Sequence, residues 1–363
     1  MPLRLDRRRF LQASFAGLCL WPAIGHAADT APLPIRHLWP TDNSRIGPIS
    51  EASGRLFYAG DLSIGAVSPA GGDRLWSHRH GFDSPAVFRP RLTASLVVTG
   101  GRRWLAAYDQ ISGAEVWRYK ARMQTGVPLV EEDALFFGDG HEIVCLDTVS
   151  GAERWRFAGI ADTLAAYAPA ASADTVFAGP GDGHLYALDR MTGGLRWSKD
   201  IRRDWQYLRQ ITVADGILVA GTYKEILTGI SLEDGGKLWS FNAGNFINSQ
   251  HVAGGAAHLW SPTGWVYAIG LGSGRVNWRH QTTDYDGNAG NWASVLAEIT
   301  SRAGRLHVLS MDNVLHVLDM EDGSELAARP VPGRIRHAVL PLADGSGLAF
   351  PTTDAEVLLT GAA

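Results

Sequence analysis

One phrase recurs along almost the whole chain, and its internal spacing does not drift. Its clearest copy is LYALDRMTGGLRW, ending at Trp197. LAAYDQISGAEVW ends at Trp117, IVCLDTVSGAERW at Trp155, LTGISLEDGGKLW at Trp239, VYAIGLGSGRVNW at Trp278 and IGAVSPAGGDRLW at Trp76. A further copy, LHVLDMEDGSELA, puts Ala327 in the Trp slot. A glycine (Gly72, Gly113, Gly151, Gly193, Gly235, Gly274 or Gly323) always stands four residues before that slot. Such a fixed register at a period of about 40 residues is the mark of a repeat architecture. Each copy also reads physically. An alternating apolar strand ends at Asp109, Asp147, Asp189 or Asp319, whose carboxylate can take backbone N–H bonds in the turn that follows. The glycine supplies the positive φ of that turn. The Trp then sits on the next strand, where a large flat ring fills the wedge between neighbouring sheets.

Upstream of each phrase lies a second hydrophobic strand ending in Gly or Asp-Gly, as in LFFGDGHEIVCLD and TVFAGPGDGHLYALD. A third apolar run precedes that, such as Leu164 to Ala171 or Leu208 to Val213. Each unit therefore holds four strands, which is a propeller blade. With Trp39 as one more member, the Trp slots run Trp39, Trp76, Trp117, Trp155, Trp197, Trp239, Trp278 and Ala327. The last residues offer strands at Arg336 to Leu340, Gly347 to Phe350 and Val357 to Thr360, but no outer strand of their own. Ile35 to Trp39 can supply it. The expected fold is an all-β, eight-bladed β-propeller of four-stranded antiparallel blades, closed by pairing of an N-terminal strand, which leaves no open sheet edge within the ring. Irregular ends would reduce it to seven blades.

The first residues read as an export signal. Arg7-Arg8-Arg9-Phe10-Leu11 is followed by an apolar run to Trp21 and by Gly25-His26-Ala27 as a small-x-small cleavage pattern, so residues 1–27 form a signal of the twin-arginine type. Residues 28–363 form the propeller domain, and no later segment has the ~18 apolar residues of a membrane span. Removing residues 1–27 takes four Arg and one Asp from 33 basic and 37 acidic residues, leaving 29 against 36 and a net charge of −7. That balance argues against nucleic acid as a partner. Cys19 lies in the signal with Leu18 before it, where a lipid-attachment cysteine needs a small residue, so lipidation is not expected. Cys145 alone remains, and it fills a core slot held elsewhere by Ala, Gly or Val.

The pattern Ala-Leu-Asp-x-x-(Ser/Thr)-Gly-x-x-x-Trp resembles the repeat of pyrroloquinoline-quinone (PQQ) dehydrogenase propellers across nearly all of residues 35–360. It is also similar to the repeat of the propeller subunit of the outer-membrane β-barrel assembly machinery, a non-catalytic scaffold of similar length. The first resemblance implies a carboxylate base, a Ca²⁺ held by oxygen ligands and a cation beside the quinone. WRHQTTDYDGN, Trp278 to Asn288, looks like the dehydrogenase segment bearing the catalytic Asp, which would make Asp284 the base. The rest of that set is missing. Trp260-Ser261-Pro262-Thr263-Gly264 replaces the Gly-Asn-Pro loop with its metal-ligating Asn, and Met311-Asp312-Asn313 stands where those enzymes carry Arg or Lys. Asp284, Asp286 and Asn288 also imitate positions one, three and five of a calcium loop, but Ala289 stands at position six and no Glu follows at position twelve. No cofactor is expected, with PQQ and Ca²⁺ as the alternative, and hydrolase, phosphate-loop and zinc signatures are absent from the sequence.

Innermost propeller strands line the central channel, so polar residues near their starts are the candidate ligand contacts. These are Trp205, Arg209, Gln210, Gln250, His251, Asn291, Trp292, Arg336 and His337. Arg209 and Arg336 would take an anion, and Trp205 and Trp292 would offer stacking surfaces. A channel of mutually satisfied polar residues fits the same pattern. The expected function is a monomeric periplasmic binding or scaffold propeller for envelope proteins or an acidic or hydroxylated ligand. A reduced PQQ-dependent alcohol or sugar oxidoreductase using Asp284 is the alternative.

Overall fold

The computed structural model describes residues 31–83, 85–159, 168–179, 183–201, 208–222, 226–244, 249–261, 264–282, 299–310, 312–335 and 338–363. Its strands form eight four-stranded antiparallel sheets. Blades 1 to 7 take consecutive strands from residues 50–79, 85–120, 129–158, 170–200, 208–242, 249–281 and 300–330. Blade 8 takes three strands from residues 340–361 and its fourth from Ile35–Pro40. That fourth strand pairs with Glu356–Gly361 in the register Leu38↔Leu358 and Trp39↔Val357. The expected closure and blade count are therefore present. First strands of neighbouring blades touch one another, as at Ala170–Ala171 with Leu208–Ala214, which puts them nearest the axis.

The turn chemistry follows the repeat. Asp147 Oδ1 accepts the backbone N–H of Ser150 at 2.8 Å and its hydroxyl at 2.7 Å, and Gly151 turns the chain at φ +70°. The Ser150 hydroxyl, with Arg154 beside it, holds the Asp147 carboxyl down at about 2. The Trp does more than fill a wedge. Each indole Nε1–H donates to a turn carbonyl of the following blade, at 2.5–3.1 Å across all seven. For six of them, Trp76 to Trp278, the ring also lies on that turn's glycine, whereas at Gly72 it is the His37 ring that does so. A methyl group added at Gly151 would come within 2.7 Å of the Trp117 ring, so glycine is required there by space as well as by φ.

Ala327 now has a physical reason. An indole in that slot would have to donate to the turn between the third and fourth strands of blade 8. Blade 8 has no such hairpin, because its fourth strand comes from Ile35–Pro40. Chain from the N-terminal side fills the junction instead. Leu33, 1% exposed, joins Leu315, Val317, Val331 and Leu358 in an apolar cluster, with Ala327 packed against it. Leu33 N–H donates to Pro330 O at 3.0 Å, and Gly361 N–H to Pro34 O at 2.9 Å. Cys145 is buried in the cluster between blades 3 and 4, and burial pushes its thiol up to about 12, as suits a core residue.

Candidate functional site

Around the axis, side chains of one first strand bond a neighbouring blade. Gln210 Nε2 donates to Gln250 O at 2.9 Å, and His251 Nε2 bonds Ser301 Oγ at 2.8 Å. Ser249 Oγ accepts Ile299 N–H at 3.0 Å, Ser50 Oγ donates to Pro90 O at 2.6 Å, and Glu51 Oε2 accepts Ala343 N–H at 2.7 Å. Two of the sequence candidates, Gln210 and His251, thus have a hydrogen bond that joins blades 5 to 6 and 6 to 7. Gln250 differs. It is 5% exposed, and neither its Nε2 nor its Oε1 has a hydrogen-bond partner. Trp260 Nε1, on the strand paired with it, is equally buried and unpaired. Leaving such atoms unmatched costs about 1–3 kcal/mol each, so this part of blade 6 carries an unmet hydrogen-bonding demand. Trp205, Asn291, Trp292, Arg336 and His337 lie outside the described residues, and Arg209 is described only as backbone in Leu208–Ala214.

Of the positions matched to the dehydrogenase set, Ser261, Gly264 and Asn313 are spent on turns. Ser261 N–H donates to Trp265 O and Gly264 N–H to Ser261 O, both at 2.9 Å. Asn313, at φ +68°, donates through Nδ2 to Val331 O at 2.8 Å and Gly333 O at 3.0 Å. Its side chain caps a loop and carries no charge. Asp284, Asp286 and Asn288 lie outside the described residues.

A second feature lies on the rim. Two residues after the Asp of each phrase, blades 2, 3 and 4 carry Ile111, Val149 and Met191, which are 70%, 67% and 69% exposed. Turn tips ordinarily take polar residues, so three large apolar side chains in one slot of successive blades form a row. Val116 and Leu195 on the outer strands are exposed too, as are Leu75, Leu238, Val276 and Leu326 in the same slots of other blades, so the turn-tip row is what sets blades 2 to 4 apart. The charges beside the row are paired within the chain. Arg154 meets Asp147 at 2.7 Å, Arg190 meets Asp133 at 2.7 Å and Glu131, and Arg196 meets Asp189 at 2.8 Å and Asp174 at 2.6 Å. The row thus sets exposed apolar surface among Arg-containing ion pairs. The row was visible in the aligned phrases as Ile, Val and Met at one offset. Trp260 was not, because its unpaired Nε1 depends on cross-strand neighbours.

The sequence model of the family described as outer membrane protein assembly factor BamB matches residues 60–141 and 139–261. This chain belongs to the PQQ-like propeller family. Its matched stretch covers most of blades 1 to 6, including the rim row. BamB from Moraxella catarrhalis is similar at 20% identity and a TM-score of 0.66, over 91% of this chain and 99% of that one. The quinohemoprotein alcohol dehydrogenase ADHIIG from Pseudomonas putida HK5 superposes at a TM-score of 0.69 with 13% identity, covering 91% of this chain and 76% of its own. Sqt1 from Chaetomium thermophilum, solved bound to the N-terminus of ribosomal protein L10, gives 0.70 at 12% identity, over 91% of this chain and all of that one. At such identities these likenesses establish the fold alone. No curated protein matches the sequence. Among the described residues, no helix is long and apolar enough to cross a membrane.

Proposed function

We propose that this PQQ-like propeller is an exported, non-catalytic scaffold that binds proteins of the cell envelope through the rim of blades 2 to 4. The observation that carries this reading is the row Ile111, Val149 and Met191, whose exposed apolar surface is held on turns fixed by Asp, Gly and the neighbouring Trp. A rigid ring presents such a row with little ordering cost, which favours binding. The Arg7-Arg8-Arg9-Phe10-Leu11 signal supports export in the folded state, and Leu18 before Cys19 supports an unlipidated product. The charge-neutral capping role of Asn313 supports the absence of quinone chemistry, since no cation is offered at that position.

One experiment separates this from a reduced oxidoreductase using Asp284. Purified protein is mixed with PQQ and Ca²⁺, and its absorption spectrum and dye-linked alcohol oxidation are recorded. A bound quinone with turnover abolished in Asp284→Ala would overturn the scaffold reading. In parallel, envelope proteins retained by wild-type protein and lost on Val149→Asp with Met191→Asp would bear it out.

A further inference from the structure

Three positions of the repeat describe the outer edge of a blade junction. They are the residue two after the Trp slot of one blade, the second core residue of the next blade's third strand, and the residue two before that blade's own Trp slot. At blades 3 and 4 these are Phe157, Tyr186 and Leu195, with the two rings 5.2 Å apart. At blades 5 and 6 they are Phe241, Tyr267 and Val276, with the rings 5.5 Å apart. In these two junctions the first two positions pack as an aromatic pair, and Leu195 and Val276 are exposed. At blades 6 and 7 the same three positions are His280, His316 and Glu325.

Their ligand atoms all lie within 4.8 Å of one another, and no other such group occurs among the described residues. His316 Nδ1 is 2.6 Å from Glu325 Oε1, and His280 Nε2 is 3.6 Å from the same oxygen. A tetrahedral ion with bonds of about 2.0–2.1 Å holds its ligand atoms roughly 3.4 Å apart. The His280 separation is close to that. The His316 pair needs to open by less than ~1 Å, which rotation of the half-exposed glutamate supplies. His316 is 5% exposed, and its Nε2 has no hydrogen-bond partner.

We infer that His280, His316 and Glu325 bind one divalent transition-metal ion of the zinc class, clamping the outer strand of blade 6 to blade 7. Two imidazoles and one carboxylate with solvent on the glutamate side match three protein ligands plus an open position. The clamp lies one junction before the one that lacks a Trp, so it stiffens the ring next to its closure. Nothing in a single sequence window signals it, because the ligands come from three strands of two blades.

The test uses the full chain stripped of metal with a chelator and titrated with Zn²⁺, and separately with Co²⁺. The account expects one ion per chain, intense visible absorption of tetrahedral Co²⁺, and a rise in Tm of about 2–6 °C at saturating Zn²⁺. His280→Ala and Glu325→Gln, both at partly exposed positions, abolish all three while keeping the circular dichroism of the parent. His78→Ala, at the equivalent rim position of blade 1, leaves them unchanged. Absence of stoichiometric binding, or binding that persists in both variants, overturns the assignment.

Discussion

If an indole resting on the next blade's glycine is what joins blades, then Gly151→Ala and Trp117→Ala must be energetically coupled although they belong to different sheets. Trp117 is 8% exposed and donates to Thr148 O at 2.8 Å, so truncation to Ala removes packing and a hydrogen bond together, about 3–5 kcal/mol. In the parent protein Gly151→Ala carries two costs. The φ of +70° costs a Cβ-bearing residue about 1 kcal/mol, and the new methyl lies within 2.7 Å of the clamped Trp117 ring, adding about 1–2 kcal/mol of overpacking. Once Trp117 is Ala, only the first cost remains. The double variant should therefore be about 1–2 kcal/mol more stable than the sum of the singles predicts. Urea unfolding of the four proteins measures this, provided the m-values agree. Additivity within ~0.5 kcal/mol would show that the ring and the glycine do not press on each other, and the proposed joint would be refuted.

Other perturbations follow from the same geometry. Ala327→Trp should not stabilise the protein by more than ~0.5 kcal/mol, because blade 8 offers no turn carbonyl, whereas Leu33→Ala should cost about 2–4 kcal/mol in the same urea assay. Arg156 bridges fully buried Asp139 at 3.1 Å and Glu153 at 2.9 Å and donates to Tyr119 Oη at 2.7 Å. Arg156→Met should therefore cost about 3 kcal/mol, and Tyr119→Phe about 1 kcal/mol. Burial, with a neighbouring positive group, lowers His258 and His307 from 6.5 to about 4. Below pH 6.5 the unfolded chain takes up protons that these folded rings refuse, so stability falls as pH drops from about 6.5 to about 4. Each ring accounts for about 3 kcal/mol of that loss. His307→Gln should flatten this acid loss, as urea midpoints at pH 7 and pH 4.5 would show.

The fold was legible because the repeat states its own physics. Asp147, Gly151 and Trp155 each name a local constraint, and a constant spacing turns them into a blade. The closure was legible from a count of Trp slots against outer strands. Two things were hidden. The indole N–H bond and the reason for Ala327 depend on which turn faces which ring, and that is a relation between blades. The candidate site was legible only as a set of polar residues on first strands. Gln210, Gln250 and His251 look alike in sequence, yet two of them bond a neighbouring blade and the Gln250 amide does not. The rim residues were in plain view at one offset of the phrase, and their exposure is what marks them.

The central claim is that the rim of blades 2 to 4 holds a protein partner, and a photo-reactive amino acid at position 149, in cells of the native host, tests it most directly. The account predicts a discrete covalent adduct to an envelope protein, absent when the same probe stands at position 326 on the exposed outer strand of blade 7. No adduct from position 149, or the same adducts from both positions, would contradict it.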